Sequence, residues 1–216
     1  MNLLAIDTTT DLASIALTVD GHCYSQEQLG ARTHAYDILP IVIELLAQAN
    51  IELRHLHGII FGCGPGSFTG IRVACSIAKG LAYGLNLALY PVSSLHAVAT
   101  FVRRNVAPSA AVLSMIDARM HQVYWSYSTI NSVTDECVNN VENITLPINV
   151  DNKFYLAGIG WENYIQKLPQ VLKENVIDYV SVHPQAEVMI YMVMNFMVKS
   201  VDIANALPIY VRNKIA

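Results

Sequence analysis

Charged side chains are scarce in this sequence. Only 14% of its 216 residues are charged, whereas 53% are hydrophobic, and a soluble domain usually carries about 25% charged residues. We therefore expect part of the surface to be apolar and covered by another chain. The formal net charge of −4 argues against nucleic-acid binding by this chain alone, because docking on phosphates depends on clustered Lys and Arg.

Motifs for disulfides, metals, secretion and membranes are missing as well. The four cysteines include no C-x-x-C pair, and the seven histidines include no H-x-x-x-H or H-E-x-x-H, which predicts reduced thiols and no metal site. The first residues, MNLLAID, lack the basic segment of a signal peptide. The longest apolar run, residues 188–198, is too short to span a bilayer. We expect a cytoplasmic protein that does not contact a membrane.

The predicted secondary structure falls into two stretches with the same layout. A buried strand ends at Asp7 and leads into a hairpin, and in the second half another buried strand ends at Asp117 and leads into a second hairpin. Helices follow each hairpin. This layout predicts an α/β protein made of two similar halves, residues 1–105 and 106–216.

A glycine-rich segment, GCGPGSFTGIR at residues 62–72, lies between a predicted strand and a helix predicted over 68–85. Glycines before a helix N-terminus favour phosphate binding, because backbone N–H groups and the helix dipole attract anions. The familiar motifs nevertheless fail. No Lys-Ser or Lys-Thr follows as in a Walker loop, Ser67 replaces the third glycine of G-x-G-x-x-G, and G-x-S-x-G is absent. The motifs alone leave phosphate binding open.

Two helices of the first half carry more apolar or small-residue surface than one domain needs. The helix predicted over 36–49 is apolar around roughly 240° of its circumference, whereas a helix on one sheet needs a stripe of about 100°. Either another element of the domain or a partner chain covers the rest. The helix over 68–85 favours a partner, because glycines inside a helix cost about 0.5–1 kcal/mol each unless another backbone approaches closely.

These two helices are predicted to meet the same pair on another chain in a four-helix interface. The predicted anchors are Leu39, Leu46 and Tyr83, with Ile43 replacing Leu46 if the first helix is rotated by one position. The face that the second helix contributes consists of Arg72, Ser76, Lys79, Gly80 and Tyr83.

Segments along the whole chain closely resemble the TsaB (YeaZ) family. They are GPGSFTGIRVACSIAKGLAYG at 64–84, AIDTTT at 5–10, PVSSLHAVA at 91–99, DARMHQVYW at 117–125, GIGW at 158–161, HPQAE at 183–187 and the terminal LPIYVR. The resemblance implies a duplicated actin-like and Hsp70-like ATPase (ASKHA) fold with two RNase H-like halves. It also implies a role in forming N6-threonylcarbamoyladenosine at position 37 of tRNAs that read ANN codons.

The same resemblance implies partners rather than a catalytic centre. In that family the catalyst is a sibling, TsaD, which TsaB-like chains support as a non-catalytic subunit and which an ATPase, TsaE, joins. The metal-binding H-x-x-x-H of the sibling aligns with the segment Ser94 to Val98, so both ligands are replaced. The resemblance therefore implies no metal and no cofactor here, a nucleotide only at a subunit interface, tRNA contact only through the complex, and a homodimer when the chain is alone.

Under this interpretation the glycine-rich segment no longer binds phosphate. Gly64, Gly66 and Gly70 are predicted to shape the turn into an interface helix. The segment after Asp7 also lacks the glycine found there in nucleotide-binding relatives. We expect Asp7 and Asp117 to cap turns through backbone N–H groups rather than to orient Mg²⁺.

An enzyme in its own right is the alternative. It would be an ATPase of the same superfamily or a peptidase. A peptidase would use Ser67 as the nucleophile, with His34 or His121 as the general base and Asp117 as the orienting acid. The separation of these residues along the chain neither supports nor excludes that arrangement.

Overall fold

The structure, a computed structural model, describes residues 1–30, 34–146 and 153–212. The strands are β1 Leu3–Asp7, β2 Leu12–Val19, β3 His22–Leu29, β4 Gly58–Gly64, β5 Ala88–Ser93, β6 Val112–Arg119, β7 Gln122–Ser128, β8 Cys137–Asn140, β9 Phe154–Ile159 and β10 Val176–Ser181. The α-helices are α1 His34–Gln48, α2 Phe68–Leu85, α3 Ser94–Asn105, α4 Gln170–Lys173 and α5 Ala186–Met194. None of the helices in the described ranges is both long enough and apolar enough to cross a membrane.

The strands form two five-stranded sheets with the same topology. The first sheet has the order β3-β2-β1-β4-β5, and the second, written from its other edge, has the order β8-β7-β6-β9-β10. In each sheet the first three strands along the chain pair antiparallel, and the next two add in parallel beside the first. This repeated order confirms the predicted duplication.

The chain divides into two compact units whose boundaries differ from the expected halves, 1–105 and 106–216. The first unit is Met1–Ala97 with Pro184–Ile209, and the second is Val98–His183 with the chain from Tyr210 on. The change from one unit to the other therefore falls inside α3, and the last helix, α5, rejoins the first unit.

Helix α5 returns to the first unit because it packs on the first sheet. It contacts β1 and β2, and the N–H group of Ala186 in its first turn donates a hydrogen bond to Ser14 Oγ over 3.0 Å. The chain after it stays with the same sheet, since Val201 N donates to Leu89 O over 2.8 Å. An apolar helix of this kind carries no sequence signal for which of two similar sheets it covers.

Strands β1 and β4 lie side by side in the middle of the first sheet and are buried along their whole length. Successive side chains of a strand point to opposite faces. Leu4 and Ile6 accordingly lie in the core shared with α1 and α2, and α5 also packs against β1. Because β1 and β4 are parallel, their carboxyl ends meet at one edge of the sheet, and there Asp7 faces the glycine-rich segment.

Candidate functional site

The turn after β1, residues 7–10, packs directly against the glycine loop, residues 62–70. A Cβ added to Gly66 would overlap the backbone of Thr9, and one added to Gly70 would overlap the backbone oxygen of Thr8. The hydroxyl of Thr8 donates to Gly70 O over 2.6 Å. Gly64 is required for a different reason, since its φ of +103° is a conformation that L side chains rarely adopt. Close contact at Gly66 and Gly70, and backbone conformation at Gly64, therefore account for these glycines without any ligand.

Backbone N–H groups at the start of α2 are engaged by the protein itself. Ser67 N donates to Thr9 O over 2.7 Å, and Ile71 N donates to Ser67 O over 2.9 Å. Ser67 Oγ is the N-cap, accepting from Gly70 N over 3.4 Å. A phosphate at a helix N-terminus is held by free N–H groups. Here the turn after β1 engages Ser67 N and the capping serine engages Gly70 N, so two of these donors are already used within the chain.

Asp7 is fully buried at this junction. Its Oδ1 accepts hydrogen bonds from the N–H group of Thr9 over 3.0 Å and from the Thr9 hydroxyl over 2.8 Å. That hydroxyl also accepts from Ser94 Oγ over 2.9 Å. Burial raises the pKa of Asp7 from 3.8 to about 7, although the two Thr9 bonds lower it. This burial is the feature that the sequence analysis missed, because a strand-end aspartate is compatible with a solvated site as well.

Asp117 is the counterpart of Asp7 in the second unit and lies near the end of β6, two residues before Arg119. Its Oδ1 accepts from Arg119 N over 2.8 Å and from the Tyr164 hydroxyl over 3.1 Å, and Arg119 Nη1 lies 3.5 Å from its Oδ2. Both strand-end carboxylates thus make the turn-capping bonds to backbone N–H groups that the sequence predicted.

The two positions aligned with the sibling's metal ligands, Ser94 and Val98, lie at the start of α3. Both side chains are fully buried, and the Ser94 hydroxyl is used in the bond to Thr9. Within the ranges that the structure describes, no group of three or more His, Cys, Asp or Glu side chains comes together as a metal ion would require.

One face of α1 is apolar and remains exposed. Tyr36, Leu39 and Ile43 are 83%, 46% and 64% exposed. The opposite face packs into the core of the first unit through Ile38, Ile41, Val42, Leu45 and Leu46. Leu46 was predicted as an anchor of the four-helix interface with a partner chain. It is buried in the core instead, so that prediction is wrong. The helix is turned so that Ile43, the alternative anchor, takes the exposed place.

The exposed face of α2 carries Ser76, Gly80 and Tyr83, and Tyr83 is 80% exposed. A Cβ added to Gly80 or to Gly84 would meet no atom of the described residues outside the local helix backbone within 4 Å, so packing within the described part of the chain does not require glycine at either position. Lys79 is only half-buried, and its Nζ donates to Ala206 O over 3.2 Å. That bond directs Lys79 toward the C-terminal segment of the same unit.

Beside this face lies a groove of about 350 Å³. The Arg72 guanidinium stacks 3.6 Å from the centre of the Phe68 ring, an i, i+4 pair that is readable in the sequence but was not singled out. The groove is mainly apolar and suits side chains of a partner. It is lined by Phe68, Thr69, Arg72, Val73, Ser76 and Ile77.

The residues of the hypothetical peptidase are not assembled within either unit. Ser67 belongs to the first unit and caps α2, whereas His121 and Asp117 belong to the second. The ring of His121 packs edge-on against Tyr164. The side chain of His34 lies outside the described residues.

Comparison with known proteins agrees with this geometry. The family described as "TsaD: tRNA N6-adenosine threonylcarbamoyltransferase" matches residues 24–208. The tRNA threonylcarbamoyladenosine biosynthesis protein TsaB of Escherichia coli (strain K12) is 33% identical over 100% of this chain and 96% of its own length. The protein of the same name from Haemophilus influenzae is 36% identical over 77% of this chain and 75% of its own length. The chain belongs to the TsaB family.

Solved structures place the fold in the same TsaB (YeaZ) family. "YeaZ from Pseudomonas aeruginosa" superposes with a TM-score of 0.85 at 32% identity, covering 97% of this chain and 99% of that one. A second structure, described as an uncharacterized protein with similarity to peptidase YEAZ from Pseudomonas aeruginosa, gives 0.87 at 32% identity over 98% and 99%. Together with the repeated sheet topology, they confirm the duplicated actin-like ASKHA fold that the TsaB resemblance implied.

Proposed function

We propose that this chain is a non-catalytic subunit of the machinery that forms N6-threonylcarbamoyladenosine at position 37 of tRNAs reading ANN codons. It pairs with a TsaD-like catalytic subunit and supports it. A TsaE-like ATPase joins the pair, and tRNA is contacted only through the complex. The tRNA modification takes place in the cytoplasm.

The observation that carries this proposal is the apolar and glycine-containing surface that the fold leaves open on α1 and α2. Leu39, Ile43 and Tyr83 are large apolar or aromatic side chains that lie in solvent in the isolated chain. Aromatic and aliphatic side chains in this position are typical anchors of protein interfaces. We call these three side chains, together with Gly80 and the groove beside Phe68, the partner surface.

Gly80 fits the same explanation. A glycine in the middle of a helix costs about 0.5–1 kcal/mol relative to alanine, and no contact with the described residues requires it. Close approach of another backbone to α2 gives the glycine a purpose. A TsaD-like sibling in the cell, or a second copy when the chain is alone, supplies that backbone.

A non-catalytic role also agrees with the interior of the first unit. The turn after β1 packs against the glycine loop, and the N–H group of Ser67 donates to the backbone oxygen of Thr9. The Asp7 carboxyl is enclosed by its own turn. A nucleotide would therefore have to bind at a boundary with another subunit.

We expect the purified chain alone neither to modify tRNA nor to hydrolyse ATP above background, because its loop and its strand-end carboxylate are committed to internal contacts. Transfer of the labelled threonylcarbamoyl group from threonylcarbamoyl-AMP, which releases AMP, to tRNA is measured with the TsaD-like and TsaE-like proteins, each time with and without this chain. Phosphate release from ATP is measured for the chain alone. Transfer should depend on adding the chain.

The control is Asp7→Ala, which would remove the acidic group of a true ATPase site. ATP turnover that persists through purification and disappears in Asp7→Ala would contradict the subunit proposal and support a stand-alone ATPase. Cleavage of peptides that is lost in Ser67→Ala would support the peptidase instead.

A further inference from the structure

Asp7 contains a buried carboxyl oxygen, Oδ2, for which the described residues supply no hydrogen-bond partner. Its Oδ1 accepts two hydrogen bonds from Thr9, but Oδ2 has none among the described residues. An ionised oxygen that is buried without a donor is costly, whereas a neutral carboxylic acid costs much less. The geometry therefore favours the protonated side chain, and burial raises its pKa from 3.8 to about 7.

Among the described residues, no cationic side chain appears as a cause that lowers the pKa of Asp7. The carboxyl contacts the N–H group and the hydroxyl of Thr9 and lies against the backbone of Gly62, and Ser14 pairs with Asp7 across β1 and β2. The nearest titratable side chains along the segments that pack here, namely the turn after β1, the glycine loop, α2 and α3, are Asp11, Cys63, Arg72 and His96. None of them is among the causes of the pKa shift of Asp7. Protonation neutralises the group in place.

The turn that Asp7 fixes is tied to two helices. Through its two bonds, the carboxyl holds Thr9, whose backbone oxygen accepts from Ser67 N at the start of α2. The Thr9 hydroxyl accepts from Ser94 at the start of α3, and Thr8 bonds to Gly70 O in the first turn of α2. A shift of this turn is therefore transmitted to the residues that open α2.

We propose that residues 7–10 form a proton-linked latch, in which the neutral Asp7 carboxyl holds the turn against the glycine loop and its ionisation loosens both the turn and the first turn of α2. The latch is a property of this chain itself and holds whether or not the proposed partner exists. The loosening of the start of α2 would affect Phe68 and Arg72, which line the groove of the partner surface.

The latch has a closed form, in which the turn packs against the glycine loop and Asp7 is buried, and an open form, in which Asp7 is exposed. The direction of the pH dependence follows from the pKa of Asp7 in these two forms. The closed form keeps the proton up to a pH of about 7, whereas an Asp7 exposed by opening loses it near 3.8. The closed form therefore loses stability relative to the open form as the pH rises from about 4 to about 7, and changes little above 7.

Amide hydrogen exchange tests the latch. In the full chain we expect the protection factor of Ser67 N–H, corrected for the intrinsic pH dependence of exchange, to fall by up to about tenfold per pH unit between pH 5 and 7. Protection of Leu17 N–H in β2 should change far less. Asp7→Asn, which is neutral at every pH, should abolish the fall, and Asp117→Asn, at a strand end where both oxygens have partners, should retain it.

Protection of Ser67 that does not vary with pH in the wild type, or that falls equally in Asp7→Asn, would overturn the proposal. An equal fall at Leu17 would do so too, because the whole unit rather than the latch would then be opening. The carboxyl carbon of Asp7, followed by NMR in the wild-type chain, keeps the test decisive if Asp7→Asn does not fold. A titration midpoint near 7 supports the latch, and one near 4 rejects it.

Discussion

Gly70→Ala should lower the free energy of unfolding by about 3 kcal/mol or more, a large part of the 5–15 kcal/mol typical of a folded domain. The new Cβ would overlap the backbone oxygen of Thr8. A backbone atom cannot rotate out of the way as a side chain can, so the turn after β1 and the start of α2 must separate. That separation also breaks the 2.6 Å bond from the Thr8 hydroxyl to Gly70 O.

Gly80→Ala is the matched control, because it makes the same chemical change in the same helix. No atom outside the helix lies within 4 Å of its added Cβ, so the monomer should gain about 0.5–1 kcal/mol from the better helix former. Urea unfolding followed by circular dichroism measures both variants. If Gly70→Ala proved as stable as Gly80→Ala, the close packing of the glycine loop on the turn after β1 would be refuted.

Local sequence patterns predict much of this fold. The extent of α2, residues 68–85, agrees with the structure, since a long run of small and apolar residues follows the glycine-rich segment. The duplication was visible as two strands that end in aspartate before a hairpin. Both signals depend on residues close together in the chain.

The misses concern relations between distant segments. Leu46 and Ile43 are three residues apart on α1 and equally apolar, so only packing on the sheet decides that Leu46 is buried and Ile43 exposed. The return of residues 184–209 to the first unit depends likewise on α5 meeting β1 and β2. The glycine loop was ambiguous for the same reason. Its neighbour, the turn after β1, lies more than fifty residues away in sequence.

Ile43→Glu should weaken both self-association and binding of the TsaD-like subunit by about 2–4 kcal/mol, or roughly 30- to 1,000-fold in Kd. In the isolated chain Ile43 is 64% exposed, so a glutamate there stays in water and the fold should hold. In the proposed interface the same carboxylate would be buried against apolar helices without a partner. Gly80→Leu should disrupt the same interface from α2, because the larger side chain blocks the approach of another backbone. It should weaken the free energy of association by about 1–3 kcal/mol or more.

Ile130→Glu is the matched control, because Ile130 is also 64% exposed but belongs to the second unit. The substitution adds the same charge and removes the same kind of exposed side chain, so it should leave association unchanged.

Sedimentation at matched concentrations measures self-association, a pull-down with the TsaD-like protein measures the heterologous contact, and circular dichroism reports folding. A stable interface typically buries about 1,600 Å² with a few central anchors, so substitutions at a true anchor cannot be silent. If folded Ile43→Glu and Gly80→Leu both associate as the wild type does, α1 and α2 are not the partner surface. Their exposed apolar face would then need another explanation.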